Sequence, residues 1–215
     1  MRRRCDGEPL AWIVGAIDFC GLRICVDPGV YVPRWQSEPL AHRAADLLPE
    51  DGVAVDLCTG TGAVACVLRA AAPGATVVAT DADPVAVACA RRNGVNARLG
   101  DLDAPLPAAL LGTVDVMVAV VPYVPADQLA FLPRDVTAFE PARALDGGAG
   151  GLDLLSSVVT RSTRWLADGG WLLLELGGDQ APPLAEQMVG AGFVDVTVHF
   201  DDDGHDRAIQ GRYCR

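Results

Sequence analysis

The sequence predicts an α/β fold, a mostly parallel sheet with helices on both faces. Three observations carry that prediction. Short, continuous β-rich runs alternate with alanine-rich runs of helical spacing, the texture of strands buried on both sides. A glycine-rich turn follows the first of these strands and leads at once into a helix. Acidic residues stand at the carboxyl ends of successive strands, where open parallel sheets meet their ligands. With 215 residues, 51% hydrophobic and 21% charged, the chain is long enough for a sizeable core and too apolar for disorder.

Taken in order, residues 1–49 read as an extension packed on a main domain of residues 50–215. In the extension, Trp12–Asp18 and Leu22–Val26 turn about Cys20-Gly21 as a short β-hairpin. Pro33 then leads to a helix from Ser37 to Leu48, with Pro39 held in its first turn. In the main domain the strands are Val53–Leu57, Val77–Thr80, Val114–Val121, Trp171–Leu176 and Val194–Phe200. A short β segment precedes Gly100-Asp101-Leu102, and Arg207–Tyr213 returns as an edge strand beside Val194–Phe200. Helices are read at Ala63–Ala72, Pro84–Arg92, Leu152–Leu166 and Pro183–Ala191. Asp83-Pro84 supplies an N-cap and an N1 proline, a strong helix start.

Composition excludes several functions. Seventeen basic and twenty-eight acidic residues give a net charge of −11, a field that repels phosphate backbones and anionic membranes. Nucleic acid and membrane are therefore not expected partners. Met1-Arg2-Arg3-Arg4 is followed by Asp6 and Glu8 instead of an apolar run, so neither signal peptide nor membrane span is read. The seven cysteines form no C-x-x-C pair, which removes zinc spacing and suits a reduced cytoplasm. Every basic side chain is arginine, since the chain has no lysine. Schiff-base and Walker-type chemistry are thereby excluded.

The glycine-rich turn is Asp56-Leu57-Cys58-Thr59-Gly60-Thr61-Gly62. Glycines at 60 and 62 permit a tight bend and close approach of a ligand to the following helix N-terminus. Asp81, followed by Ala82, ends the second strand about 20 residues on, where an acid can take both hydroxyls of a ribose. Asp101, followed by Leu102, can accept from an adenine amino group. A set of acids around a nucleoside site suits a cation better than a pyrophosphate. S-adenosylmethionine, with a sulfonium, an ammonium and no phosphate, is the ligand expected, and S-adenosylhomocysteine its product. The predicted cofactor set is Asp56, Cys58, Thr59, Gly60, Thr61, Gly62, Asp81, Ala82, Asp101, Leu102 and Val120.

At this point the sequence resembles the HemK/PrmC family of protein-(glutamine N5) methyltransferases, which modify peptide release factors. Gly7-Glu8-Pro9-Leu10 through Gly15, with Phe19-Cys20-Gly21, resembles the family's hairpin. Val32-Pro33-Arg34-Trp35-Gln36-Ser37-Glu38 is similar to its PR-x-x-T-E segment. Cys58–Gly62 is similar to its G-T-G-T-G, with cysteine in first place. Phe139-Glu140-Pro141, Ala144-Leu145 and Gly147-Gly148 resemble EP-x-x-AL-x-GG. Leu174-Glu175-Leu176-Gly177 with Gln180, then Gly204-His205-Asp206-Arg207, complete the series. The resemblance implies a class I S-adenosylmethionine-dependent methyltransferase, Rossmann-like, with a seven-stranded sheet.

Two departures follow. The family's leading helical domain has no counterpart in this sequence, and apolar patches left by its absence would favour a partner or a homodimer. The family's N-P-P-Y is here Val120-Val121-Pro122-Tyr123. An amide nitrogen is a poor nucleophile, and the family's asparagine holds it in line by accepting its hydrogens. Valine accepts nothing, and a buried amide missing one bond loses about 1–3 kcal/mol. The expected acceptor is therefore a better nucleophile, an amine, hydroxyl or carboxylate on a small molecule or peptide, met at Val120, Val121, Pro122 and Tyr123. Alternatives are glutamine N5 of another protein, or an inactive subunit that binds cofactor or partner. The remaining candidates have structural readings. His42 is a helix-surface residue, and His205 belongs to a turn. Asp201-Asp202-Asp203 is a solvated loop, and Cys58 is a small residue in a tight bend. Glu140 and Asp146 lie after the Pro-Tyr turn, where a substrate could be met.

Overall fold

A computed structural model describes residues 2–215. The chain opens with two short helices, α1 (Arg2–Cys5) and α2 (Leu10–Val14), then a ribbon of β1 (Ala16–Phe19) and β2 (Leu22–Cys25), then α3 (Glu38–Leu47). The main run is β3 (Val53–Leu57), α4 (Ala63–Ala71), β4 (Thr76–Asp81), α5 (Pro84–Arg92), β5 (Ala97–Leu99) and β6 (Val114–Ala119). It continues with α6 (Arg134–Phe139), α7 (Asp153–Ser162), β7 (Leu166–Glu175), α8 (Ala181–Gly190), β8 (Phe193–Phe200) and β9 (Asp206–Tyr213). Strands β3 to β9 form one seven-stranded sheet in the order β5-β4-β3-β6-β7-β9-β8. The first five in that order run parallel, and β9 is antiparallel to both its neighbours. Among the described residues no helix is long and apolar enough to cross a membrane.

Alternation along the central strands divides the core in two. Ala54, Val116, Val118 and Leu173 face α3 and α4, where Leu40, Ala41, Ala44, Val64 and Leu68 are buried with Phe19 and Ile24 of the ribbon. Val55, Leu57, Met117, Leu172 and Leu174 face the opposite side, against Leu155, Val158, Val159, Leu184 and Met188 of α7 and α8. Leu172, Leu173 and Leu174 have no exposed surface, and full burial of each side chain contributes roughly 1.5–3 kcal/mol. Both faces are covered, which explains why these strands read as unbroken apolar runs. The chain winds outward from β3 through β4 to β5 and returns to β6 on the other side of β3. The order reverses between β3 and β6, so a crevice opens there at the carboxyl ends.

The structure agrees with most expected elements and corrects several. The Asp83 carboxylate accepts the N–H of Val85 at 2.9 Å, with Pro84 in the first turn of α5. Trp12–Val14 is helical, not part of the hairpin. Five apolar residues are too few for periodicity to separate helix from strand. Gly15 settles the matter at φ 78°, its N–H returning to the carbonyl of Ala11. Helix α7 stops at Ser162, because Trp165 turns inward to donate its indole N–H to Asp103 at 2.8 Å and Leu166 already starts β7. Helix α8 starts two residues before Pro183, with proline in its first turn. The strand expected to reach Val121 ends at Ala119. β9 does lie beside β8, yet it is an inner strand, and β8 is the edge.

Candidate functional site

The glycine-rich turn is bent by three left-handed residues within five positions, Cys58 (φ 55°), Gly60 (φ 55°) and Gly62 (φ 81°). It is tied down on both sides. Thr59 donates its N–H to the carbonyl of Thr80 at 3.0 Å. Beneath it, Asp56 accepts the Thr59 hydroxyl at 2.5 Å and the N–H of Ala65 at 3.2 Å. Asp56 is buried, and burial pushes its carboxyl up to about 7. Asp81, at the end of β4, accepts the N–H of Gly60 and the N–H of Asp83, each at 2.8 Å. Each carboxylate oxygen has a second lone pair, so Asp81 keeps capacity toward the crevice. Burial raises its carboxyl above the usual range.

A cleft lies over this turn. It brings together Cys58, Gly60, Asp81, Ala82, Asp101, Leu102 and the whole of Val120–Tyr123. Asp56, Thr59 and Thr61 line a smaller adjoining cavity, which shares Tyr31, Cys58, Gly60 and Val120 with the cleft. Gly62 lines neither. A Cβ at Gly62 would meet Val95 Cγ2 at 2.8 Å and Ala90 Cβ at 3.2 Å, so this glycine serves the packing of α4 on α5. A Cβ at Gly60 would meet nothing within 4 Å. The backbone at Gly60 thus faces open space, as close approach of a ligand requires. The Cys58 thiol is raised above its ordinary range by burial and by Asp81, Asp56 and Asp101, which makes it a poor nucleophile.

The acceptor turn is braced from behind. Gln180 donates from Nε2 to the carbonyls of Tyr123 at 2.7 Å and Gly150 at 3.0 Å. Val124 donates to Leu145 at 3.0 Å, and Gly147 returns a bond to Val124 at 2.9 Å. A Cβ at Gly147 would stand 2.7 Å from the Cα of Tyr123, which is why the segment after Leu145 needs glycine. The Tyr123 hydroxyl donates to Glu175 Oε1 at 2.9 Å, and Glu175 is almost fully buried at the end of β7. Burial, more than any neighbour, raises both groups above their ordinary ranges. No carboxamide side chain lines this wall, among the described residues; its polar side chains are Tyr31 and Tyr123.

Tyr31 and Arg143 stood at no motif position, while Arg34 and Glu140 did. Tyr31 comes from the irregular chain after β2, with Arg34 4.8 Å over its ring. Burial pushes the Tyr31 phenol up to about 12. Arg34 pairs with buried Glu140, which also accepts the N–H of Val32 at 3.2 Å. Glu140 is thus occupied as a brace, not presented to a substrate. Arg143 spans the cleft to Asp83 at 2.5 Å. Of the neighbouring acids in Asp101-Leu102-Asp103, Asp101 lines the cleft and is exposed, with Arg161 at 3.3 Å. Asp103 is buried against Trp165 and Arg161. Asp146 caps its own loop through the N–H of Gly148 at 3.0 Å. Asp201 gathers the N–H groups of Asp203 and His205 and the guanidinium of Arg207, a turn brace whose carboxyl is drawn down to about 2. His42 and His205 line neither cavity. The cleft as built fits a ligand with a nucleoside body and a positive charge, because its ionisable lining is mainly carboxylate.

The chain is similar to known proteins. A family profile described as "Methyltransferase small domain" matches residues 22–104. The chain is 36% identical over 216 residues to the release factor glutamine methyltransferase of Geobacter sulfurreducens, covering 98% of this chain and 75% of that one. It is 38% identical over 208 residues to the release factor glutamine methyltransferase of Mycolicibacterium smegmatis, covering 94% and 73%. The solved structure of the release factor-specific protein-(glutamine-N5) methyltransferase of Alicyclobacillus acidocaldarius is similar with a TM-score of 0.52 at 23% identity, covering 86% of this chain and 95% of that one. That likeness is one of fold.

Proposed function

The chain belongs to the HemK/PrmC family and is an S-adenosylmethionine-dependent methyltransferase of that type, and we propose that its acceptor is a nitrogen or oxygen nucleophile, on a small molecule or peptide, other than a carboxamide gripped by a side chain. When bound, the cofactor supplies an electrophilic methyl group on a sulfonium. The turn at Cys58, Thr59, Gly60, Thr61 and Gly62 shapes its seat. Asp81 would take the ribose hydroxyls and Asp101 the adenine amino group, with Ala82 and Leu102 beside the base; all four line the cleft. Asp56 holds the turn from below. Val120 marks the junction between cofactor and acceptor.

The single observation behind the acceptor reading is the apolar wall at Val120 and Val121, flanked by Tyr31 and Tyr123. An amide placed against Val120 and Val121 finds no side-chain acceptor on them, only their backbone carbonyls. A better nucleophile needs alignment and exclusion of water, and two rings with Pro122 supply a rigid, dry surface. The test is transfer from labelled S-adenosylmethionine to a panel of amine, hydroxyl, carboxylate and glutamine-containing acceptors, with the product mass-mapped. Turnover of an acceptor other than glutamine, at ten times or more the rate of any glutamine peptide, is expected. A glutamine peptide as the best acceptor would sink the proposal.

The relatives named above favour a second reading, methylation of glutamine N5 on a protein. On that reading the carbonyls of Val120 and Val121 accept the amide hydrogens unaided. The double variant Val120→Asn with Val121→Pro should then raise turnover of a glutamine peptide by tenfold or more.

A further inference from the structure

The acceptor wall is bonded to a buried acid that neither the cofactor seat nor the acceptor reading uses. Glu175, the last residue of β7, is 3% exposed. Its Oε1 accepts the Tyr123 hydroxyl at 2.9 Å, while its buried Oε2 has no hydrogen-bond partner among the described residues. No ion pair neutralises it either, among the described residues. The nearby arginines are engaged elsewhere, Arg34 by Glu140 and Arg207 by Asp201. A carboxylate so short of donors has a strong tendency to take a proton. The groups that face it are the Ser37 hydroxyl, Tyr123, Arg207 of β9 and Arg34, with Tyr31 close enough to feel its charge. The first four draw the Glu175 carboxyl down, yet burial outweighs them and leaves it above its ordinary range.

Tyr123 connects this acid to the cleft, which it lines beside Val120, Val121 and Pro122. A phenol has a single hydrogen, and here that hydrogen is committed to Glu175. What the oxygen has left is lone pairs. Such a group can accept a hydrogen from a bound molecule but has none to donate to it.

We propose that Tyr123 and Glu175 form a proton relay for the methyl acceptor, with Tyr123 meeting the nucleophile and Glu175 acting through it as the final holder of the proton. The proposal rests on the methyltransferase reading above and narrows its acceptor to a nucleophile that carries a hydrogen, an amine or a hydroxyl, excluding a carboxylate. The nucleophile's lone pair forms the new bond to the methyl carbon as the carbon–sulfur bond breaks and its electron pair stays on sulfur. The proton shed by the nucleophile goes to the Tyr123 oxygen, and the Tyr123 proton goes to Glu175 Oε1. One positive charge on sulfur and one negative charge on Glu175 vanish together. Charge is costly in a buried site, so burial of Glu175 favours the discharged end state.

The experiment needs no acceptor. Calorimetric titration of the full chain with S-adenosylmethionine and with S-adenosylhomocysteine, in buffers of different ionisation enthalpy at pH 7, counts the protons taken up on binding. The neutral thioether should bring in more protons than the sulfonium, by about 0.3 per chain or more, because without the positive charge Glu175 takes one. Glu175→Gln should cut that difference by at least half. Tyr123→Phe removes a donor that lowers the Glu175 carboxyl, so the proton stays on with either ligand and the difference should fall in the same way. Comparison between variants cancels the ligands' own ionisation. Asp56→Asn, which removes the raised carboxyl beneath the glycine-rich turn, should keep at least half of the difference. A brace with no proton-holding role would leave the count unchanged in Glu175→Gln and Tyr123→Phe. That result, no difference in the wild type, or a difference lost in Asp56→Asn instead, overturns the relay, while binding of S-adenosylhomocysteine leaves the methyltransferase reading standing. Failure of the wild type to bind either ligand removes both. In the acceptor panel, a carboxylate as the best acceptor also overturns the relay and leaves that reading intact.

Discussion

The two glycines of the cofactor turn should separate when each is replaced by alanine. Both sit at positive φ, 55° at Gly60 and 81° at Gly62, and an alanine held there costs about 1–2 kcal/mol. At Gly62 the added methyl also strikes Val95 Cγ2 at 2.8 Å and Ala90 at 3.2–3.3 Å, and overpacking of this kind costs about 1–3 kcal/mol. The sum for Gly62→Ala is roughly 2–5 kcal/mol, and for a chain of this size each kcal/mol lowers Tm by about 2–4 °C. Gly62→Ala should therefore melt about 4–20 °C below wild type in differential scanning calorimetry. Gly60→Ala meets nothing within 4 Å and should lose only about 2–8 °C, since it carries the backbone cost alone. Its defect should appear in calorimetric titration with S-adenosylhomocysteine, as a Kd at least tenfold higher. Equal Tm losses for the two variants, or wild-type affinity in Gly60→Ala, would refute the division of labour between a packing glycine and a ligand-facing one.

Two further outcomes follow from buried carboxyls. Asp56 is pushed up to about 7 from an ordinary 3.8 by burial, so between about pH 4 and pH 7 the native state holds a proton that the unfolded chain has released. Its contribution to stability is full below pH 4 and is lost as pH rises through 7, by a few kcal/mol at most. In Asp56→Asn the fall in Tm from pH 5 to pH 8 should flatten, and an unchanged slope would count against Asp56 as its source. Arg34→Ala strands Glu140, whose side chain is 1% exposed, at a cost of about 3–5 kcal/mol. The double variant Arg34→Ala with Glu140→Gln should recover at least half of that loss in urea melts, and strict additivity would show that the pair is not coupled.

How much was legible in the sequence follows from what each element depends on. Strands β3, β4, β6 and β7 were readable because both their faces are buried, so that apolar residues run on unbroken. The start of α5 was readable because Asp83-Pro84 is a local, chemical signal. Trp12–Val14 was misread because its conformation depends on Gly15 and on an indole N–H that reaches the carbonyl of Val30 at 2.9 Å, a partner distant in sequence. The inner position of β9 was hidden because strand order is decided by tertiary pairing, not by pattern. At the site, Cys58 kept the resemblance to a glycine-rich motif while adopting the left-handed backbone that the motif's glycine would take. Tyr31 and Arg143 were missed because neither stands at a motif position, and Arg143 acts through Asp83, a partner distant in sequence. Gly62 was assigned to the ligand because its motif does not distinguish glycine needed for approach from glycine needed for packing.

The place of β9 has a consequence for how the molecule comes together. Residues 206–213 insert between β7 and β8, so the two sides of that slot are stitched by a segment synthesised after both. A nascent chain stopped before Asp206 already has the crevice between β3 and β6, yet β7 shows an open row of backbone donors and acceptors. Such an intermediate is primed to recruit a foreign strand, and a cut in the 201–205 turn should turn β9 into an exchangeable plug.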